Sequence, residues 1–162
     1  MLKTTGKKLL MILMMLCLIS SSISVVAADN RIGEIVDGSV LTDESEAKYP
    51  DNLITRGTYL ATGTGSISNL GGRQVYISGG TNCHRYSDEV KVTLILQRLE
   101  GNSWVYVNSV GPVSAYNTYK VSTGATFSVS GGYYYRVYGT HTAKKGSTSE
   151  TCTSYSDGIW VS

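Results

Sequence analysis

Alternation with a period of two organises most of this chain. Residues 90–99 show it best: Val90, Val92, Leu94 and Leu96 fall on one side, and Lys91, Thr93, Ile95 and Gln97 on the other. Glu100-Gly101-Asn102 then makes a tight hairpin turn into a strand at 104–110, which Gly111-Pro112 ends. Gly131-Gly132 opens a second long run, Tyr133-Tyr134-Tyr135-Arg136-Val137-Tyr138, that continues to residue 142. Tyr133, Tyr135 and Val137 suit an inner face; Tyr134, Arg136 and Tyr138 share the opposite face and end in polar tips. Shorter strands are predicted at 57–61, 65–70, 74–78, 118–122, 126–130 and 158–161. Gly71-Gly72, Gly79-Gly80 and Thr123-Gly124 read as the turns between them, and 144–147 as a mobile turn.

Helix formers are scarce after residue 50, so the chain reads as all-β. Seven or eight strands in the body predict an immunoglobulin-like or fibronectin type III-like β-sandwich of about 7–8 antiparallel strands. The Tyr-rich strand is its centre, with Val92, Leu94, Phe127 and Val129 packing on Tyr133, Tyr135 and Val137. Composition agrees. Charged residues are 16% of the chain, against about 25% in an average soluble protein, and Ser, Thr and 18 Gly take their place. The 12 Tyr against one Phe suit half-buried strands, where the ring packs and the hydroxyl stays wet.

The N-terminus carries an address. Lys3, Lys7 and Lys8 precede an apolar run at 9–19, and Val26-Ala27-Ala28 fits the small-residue cleavage rule. Residues 1–28 therefore read as a secretory signal peptide cut before Asp29, and the product as extracellular. The run is shorter than the roughly 20 residues that span a bilayer, so no membrane anchor is expected after cleavage. Only Ser162 follows Val161, which leaves no sorting motif to hold the product to a cell wall. Cleavage removes three of the 14 Lys and Arg and none of the 12 Asp and Glu, leaving a formal charge of −1. That balance gives no electrostatic case for nucleic acid.

Residues 29–56 hold Asp29, Glu34, Asp37, Asp43, Glu44, Glu46 and Asp51, and show no clear period. They read as an acidic mobile linker or a removable pro-segment, with a weak strand or turn at 34–40 as the alternative. Arg56-Gly57 is a candidate processing site, and the folded domain is placed at 57–162.

Two cysteines, Cys83 and Cys152, remain in the exported chain, and an even count outside the cell points to a disulfide. Closing so long a loop would contribute about 4 kcal/mol in the chain-entropy model. A zinc site using Cys83, His84, His141 and Cys152 is disfavoured, because adjacent Cys83 and His84 point opposite ways in an extended chain. No cofactor is expected. No Gly-x-Ser-x-Gly elbow or phosphate-cradling loop occurs, and pairing both cysteines leaves no thiol for a Cys–His nucleophile. The chain reads as non-enzymatic.

The best candidate for recognition is the outward strip Tyr134, Arg136 and Tyr138, where an arginine can stack between two rings and the set can meet a sugar or a protein. An ordinary cross-strand ladder is the alternative. Tyr76, Tyr106 and Trp160 can extend the strip if strand order allows.

Tyr133 to Val137 after a Gly turn resembles the penultimate strand of fibronectin type III domains, where a Tyr at the strand start anchors a corner. The order of Leu96-Gln97-Arg98-Leu99, turn and Trp104 strand is similar too, although that family lacks the disulfide. The whole precursor also resembles an uncharacterised family of small exported proteins of Gram-positive bacteria. These share a Thr-Asn-Cys-His segment like 81–84, the Leu-Gln-Arg and Trp strands, and a Gly-Gly-Tyr-Tyr-Tyr-Arg-Val strand. The resemblance implies compartment and fold and no activity. The function expected is a secreted binding module for a glycan or a cell-surface protein. The alternatives are an exported antagonistic or signalling protein with 29–56 as its leader, and, disfavoured, a secreted hydrolase.

Overall fold

The computed structural model describes residues 31–49 and 57–162. The signal peptide and the Arg56 processing site lie outside the described residues. Among them the chain forms nine strands and no helix: β1 Ile35–Val36, β2 Ser39–Thr42, β3 Glu46–Lys48, β4 Leu60–Gly71, β5 Gln74–Glu100, β6 Ser103–Ser128, β7 Tyr133–Lys145, β8 Thr148–Tyr155 and β9 Gly158–Val161. The all-β expectation holds. The strands make one mixed sheet curled into a half-barrel, with the two facing parts packed as in a sandwich.

The curl comes from β5 and β6. They pair antiparallel along almost their whole length, from Gln74 against Ser128 to Glu100 against Ser103. Register shifts between Asn82 and Ser87 and between Val92 and Leu94 bend this ribbon, as bulges do. The other edge of β5 serves two strands in turn. Its first part pairs with β4, and residues 89–98 pair with β7. One layer is thus β3–β4–β5–β6, and the other continues from β6 and β5 through β7 to β8, β9, β2 and β1. Between them lies a core of Ile67, Val75 and Ile77 from the first layer and Val92, Leu94, Leu96, Tyr135 and Val137 from the second. Phe127, Val129 and Tyr133 pack on it, part-buried. The packing partners expected for the Tyr-rich strand are therefore the observed ones. Tyr135 also anchors a corner: its hydroxyl donates to the Ser130 carbonyl at 2.8 Å.

Gly71-Gly72 makes the expected turn between β4 and β5, whereas Gly79-Gly80 and Thr123-Gly124, also read as turns, lie inside strands. Gly79 faces inward, and a Cβ there would come 2.9 Å from Leu94 Cδ2 and overlap the Thr64 carbonyl. At Gly80 a Cβ would lie 2.8 Å from the Val121 carbonyl, and at Gly124 it would lie 2.5 Å from the Tyr76 hydroxyl. These glycines permit close approach within a continuous sheet rather than chain reversal. Gly111-Pro112 likewise falls inside β6, at its irregular middle.

The lead-in is the main correction. Residues 31–49 are no linker: β2 pairs parallel with β9, and β3 pairs antiparallel with β4. Val36 and Leu41 are buried with Leu99 and Tyr134, with Trp104 and Trp160 packed around them. The folded unit therefore begins before residue 57, and not every pairing is antiparallel. The turn at 144–147 is tied down as well, since Asp88 accepts from Lys145 Nζ at 2.6 Å and from the Gly146 N–H at 2.8 Å.

Candidate ligand-binding face

The predicted strip is not open. Tyr134 is 2% exposed and Arg136 3% exposed, and Tyr138 is half-buried. Tyr134 packs edge-on against Trp160 with ring centroids 4.9 Å apart. The Arg136 guanidinium lies 4.5 Å from the Trp104 ring centroid and reaches four acceptors. Nε donates to Gln97 Oε1 at 2.9 Å, Nη1 to the Asp37 carbonyl and to Ser39 Oγ, and Nη2 to Asp37 Oδ2 at 2.8 Å. Burial pulls the Arg136 pKa down, and Asp37 opposes that shift. The strand's outer face is thus a clamp on the β1–β2 turn. The two expectations that failed have one cause, since the segment read as a linker is what covers the strip read as a surface.

His141 is fully buried. Its ring fills a slot left by two glycines: a Cβ at Gly63 would overlap the ring, and one at Gly139 would lie 2.6 Å from Nε2. Thr81 Oγ1 donates its single hydrogen to the Lys91 carbonyl at 2.8 Å, so it must accept from His141 Nδ1 at 3.0 Å. Nδ1 therefore carries the proton, and Nε2 accepts from Ser154 Oγ at 2.8 Å. Burial lowers the pKa of this imidazole to about 4. The ring is neutral and fully bonded, a tie between the layers where β4, β5, β7 and β8 meet.

Cys83 and Cys152 are free thiols that share an apolar cluster with Leu60, Val90 and Ala143. They flank the start of β4, Cys83 on β5 opposite Leu60 and Cys152 on β8 opposite His141. Burial raises both pKa values, which keeps the groups as thiols rather than nucleophilic thiolates. Nearby, Glu150 accepts from the backbone N–H groups of Thr58, Tyr59 and Leu60, and these bonds hold its pKa below the usual range. Among the described residues no three His, Cys, Asp or Glu side chains are grouped to share a metal ion.

The open, shaped surface lies elsewhere, on the outer face of the β3–β6 layer. Register aligns Ser68, Tyr76 and Thr126 in one cross-strand row, and Ser66, Ser78 and Gly124 in the next. Thr64, Gly80 and Ser122 follow, then Thr62, Asn82 and Lys120. Neighbouring hydroxyls are already paired, as in Ser66 Oγ to Ser78 Oγ at 2.8 Å. A groove of about 580 Å³ crosses Thr64, Ser78, Gly80, Asn82 and Ser122, with Tyr76 and Lys120 on its lining. A second hollow of about 280 Å³ shares Thr64, Ser78 and Gly79 with it and reaches Lys48 and Tyr49, so the two form one trough. Tyr76 is 39% exposed and reaches over Gly124.

The match to known families spans lead-in and body alike. Residues 26–157 fit the profile of DUF6147, described as a family of unknown function. The chain belongs to that family. No curated protein and no solved structure matches it. The DUF6147 match therefore agrees with the expected uncharacterised family. It also runs through β1–β3 without a break, as the sheet does.

Sequence reasoning missed the trough, although a signal was present. Thr62, Thr64, Ser66 and Ser68 alternate along β4, and Ser122, Thr126 and Ser128 along β6, which marks a hydroxyl-rich face. Of the residues named to extend the strip, Trp160 is in the clamp, Tyr106 is exposed on β6, and Tyr76 belongs to the trough.

Proposed function

We propose that this chain is an exported, non-catalytic binding module that takes a glycan along the trough of the β3–β6 layer. The observation that carries the reading is the trough itself: a concave floor of serine, threonine and glycine, one asparagine, and the Tyr76 ring, whose hydroxyl end lies over Gly124. Hydroxyls and an amide are the donors and acceptors that a polyhydroxyl chain requires, and the Tyr76 ring is a face on which a sugar ring can stack. The glycine floor lets a ligand approach the backbone. Lys120 at one end has no carboxylate partner among the described residues, so it favours a glycan that also carries an acidic group.

The same reading includes export. Residues 1–28 are removed as a signal peptide, and outside the cell the two free thiols of Cys83 and Cys152 pass two electrons and two protons to an extracellular disulfide oxidant, forming a bridge that clamps the start of β4 between β5 and β8. The antagonist alternative, with 29–56 as a discarded leader, is less well supported, because residues 31–49 contribute three strands and part of the core.

A glycan array followed by calorimetry on the ligands retained tests the recognition. Tyr76→Ala is expected to weaken binding about tenfold or more, and Asn82→Ala to weaken it less. A wild-type protein that retains no glycan, or a Tyr76→Ala variant that binds as well as wild type, would remove the reading.

A further inference from the structure

We propose that the free edge of β6 is a self-pairing strand, and that two copies of this chain join there antiparallel about a two-fold axis through Gly124. Among the described residues β6 pairs with β5 alone, so its other edge presents main-chain groups that another strand can satisfy. Edges of soluble proteins are usually blunted by charge, proline or irregularity. Here Gly111, Pro112 and Asn117 interrupt the middle of the strand, with positive φ at Gly111 and Asn117. From Lys120 to Ser128 the ladder runs without a register shift, and Lys120 is the only charge.

The phase of that ladder follows from a neighbouring bond. Val129 N–H donates to the Arg73 carbonyl on the β5 side, so the odd residues of 121–129 turn their main-chain groups toward β5. Lys120, Ser122, Gly124, Thr126 and Ser128 turn theirs to the free edge. A second copy laid antiparallel about Gly124 offers the same set, so each of these residues meets a member of it.

The side chains match under the same operation, which is what selects a second copy over an unrelated strand. Val121 falls opposite the second copy's Phe127, Ser122 opposite its Thr126, and Thr123 opposite its Ala125. Lys120 meets Ser128 rather than another lysine. Val121 and Phe127 are only part-buried against the core, and no residue of β6 is fully buried, so pairing covers apolar surface that one copy leaves open. At the axis Gly124 faces Gly124 with Cα atoms about 5.5 Å apart. The Tyr76 rings that lie over each then come side by side, and the two troughs become one continuous face. The pairing itself does not depend on what the trough binds.

Edge pairing over 120–128 sits at the small end of specific interfaces, below about 1,200 Å². Sedimentation equilibrium of the purified protein from about 1 µM to about 500 µM is expected to show a monomer–dimer equilibrium. The variant S122K/T126K opposes lysines twice across the axis at exposed positions and is expected to be monomeric throughout. Mixing it with S122E/T126E is expected to restore a one-to-one dimer. Hydrogen exchange of wild type needs no variant: the Ser122, Gly124 and Thr126 amides are expected to gain protection as concentration rises. A wild-type monomer across the range would leave the edge to another protein's strand and overturn the proposal. So would a dimer that survives S122K/T126K, a mixture that stays monomeric, or edge amides whose exchange ignores concentration.

Discussion

His141 shows how one buried side chain couples this fold to pH. Its folded pKa lies near 4 and its unfolded value near 6.5, so between those values the unfolded chain binds more protons. Stability therefore rises with pH across this window and falls on acidification. The loss is about 1.4 kcal/mol per pH unit, or about 3 kcal/mol in all. Urea midpoints measured from pH 7 to pH 4 should trace that slope, and nitrogen shifts in NMR should report Nδ1 as the protonated atom. A flat profile, or an Nε2–H tautomer, would refute the assignment. The histidine was visible in the sequence as one of two in the chain, and nothing local marked it as buried. Its environment comes from Gly63, Thr81, Gly139 and Ser154, of which only Gly139 lies close to it in the chain.

At the scale of elements, Arg136 joins β7 to the β1–β2 turn. A lysine carries the charge without the planar fork, so Arg136→Lys cannot serve Gln97, Asp37 and Ser39 together. It leaves buried Ser39 and half-buried Gln97 short of a donor, while exposed Asp37 turns to water, and is expected to cost about 1–2 kcal/mol. Limited proteolysis should then cut within 31–42 well before the body, whereas wild type resists. Equal resistance in the two proteins would show that the turn is held by other contacts. Asp37 adopts φ +48 and Gly38 φ +81, so the turn is left-handed at both centres, as a tight hairpin between β1 and β2 requires. That Asp-Gly pair was the sequence's best hint that the acidic segment is structured. Its strands are two and four residues long, too short for a periodic signal.

For the whole molecule, the export proposed above implies a product that retains the lead-in. Losing residues 31–49 would remove β3 from one layer and expose Leu99, Trp104 and Tyr134 on the other. Intact-mass analysis of secreted protein is expected to show a start at Asp29 and a mass two hydrogens below the reduced form, the bridge joining Cys83 to Cys152. A product that starts near Gly57 would mean the segment is discarded, and two alkylatable thiols would rule out the bridge.

Local alternation sufficed to determine that the chain is all-β, that Tyr133, Tyr135 and Val137 face a core, and that Val92 and Leu94 face one as well. Those facts depend on which side of a strand a residue occupies, and period two specifies that without knowing the partner. Tertiary structure decided the rest, because it depends on what lies across a strand. Tyr134 and Arg136 had the composition of a surface and became a clamp only once residues 31–41 folded over them. Ser66, Ser78 and Ser122 were ordinary strand residues until register set their strands side by side. The Tyr-rich strand β7 is therefore the centre it was read to be, and the shaped open face lies across the sheet from it, hinted at by alternating hydroxyls on β4 and β6 but assembled only by register.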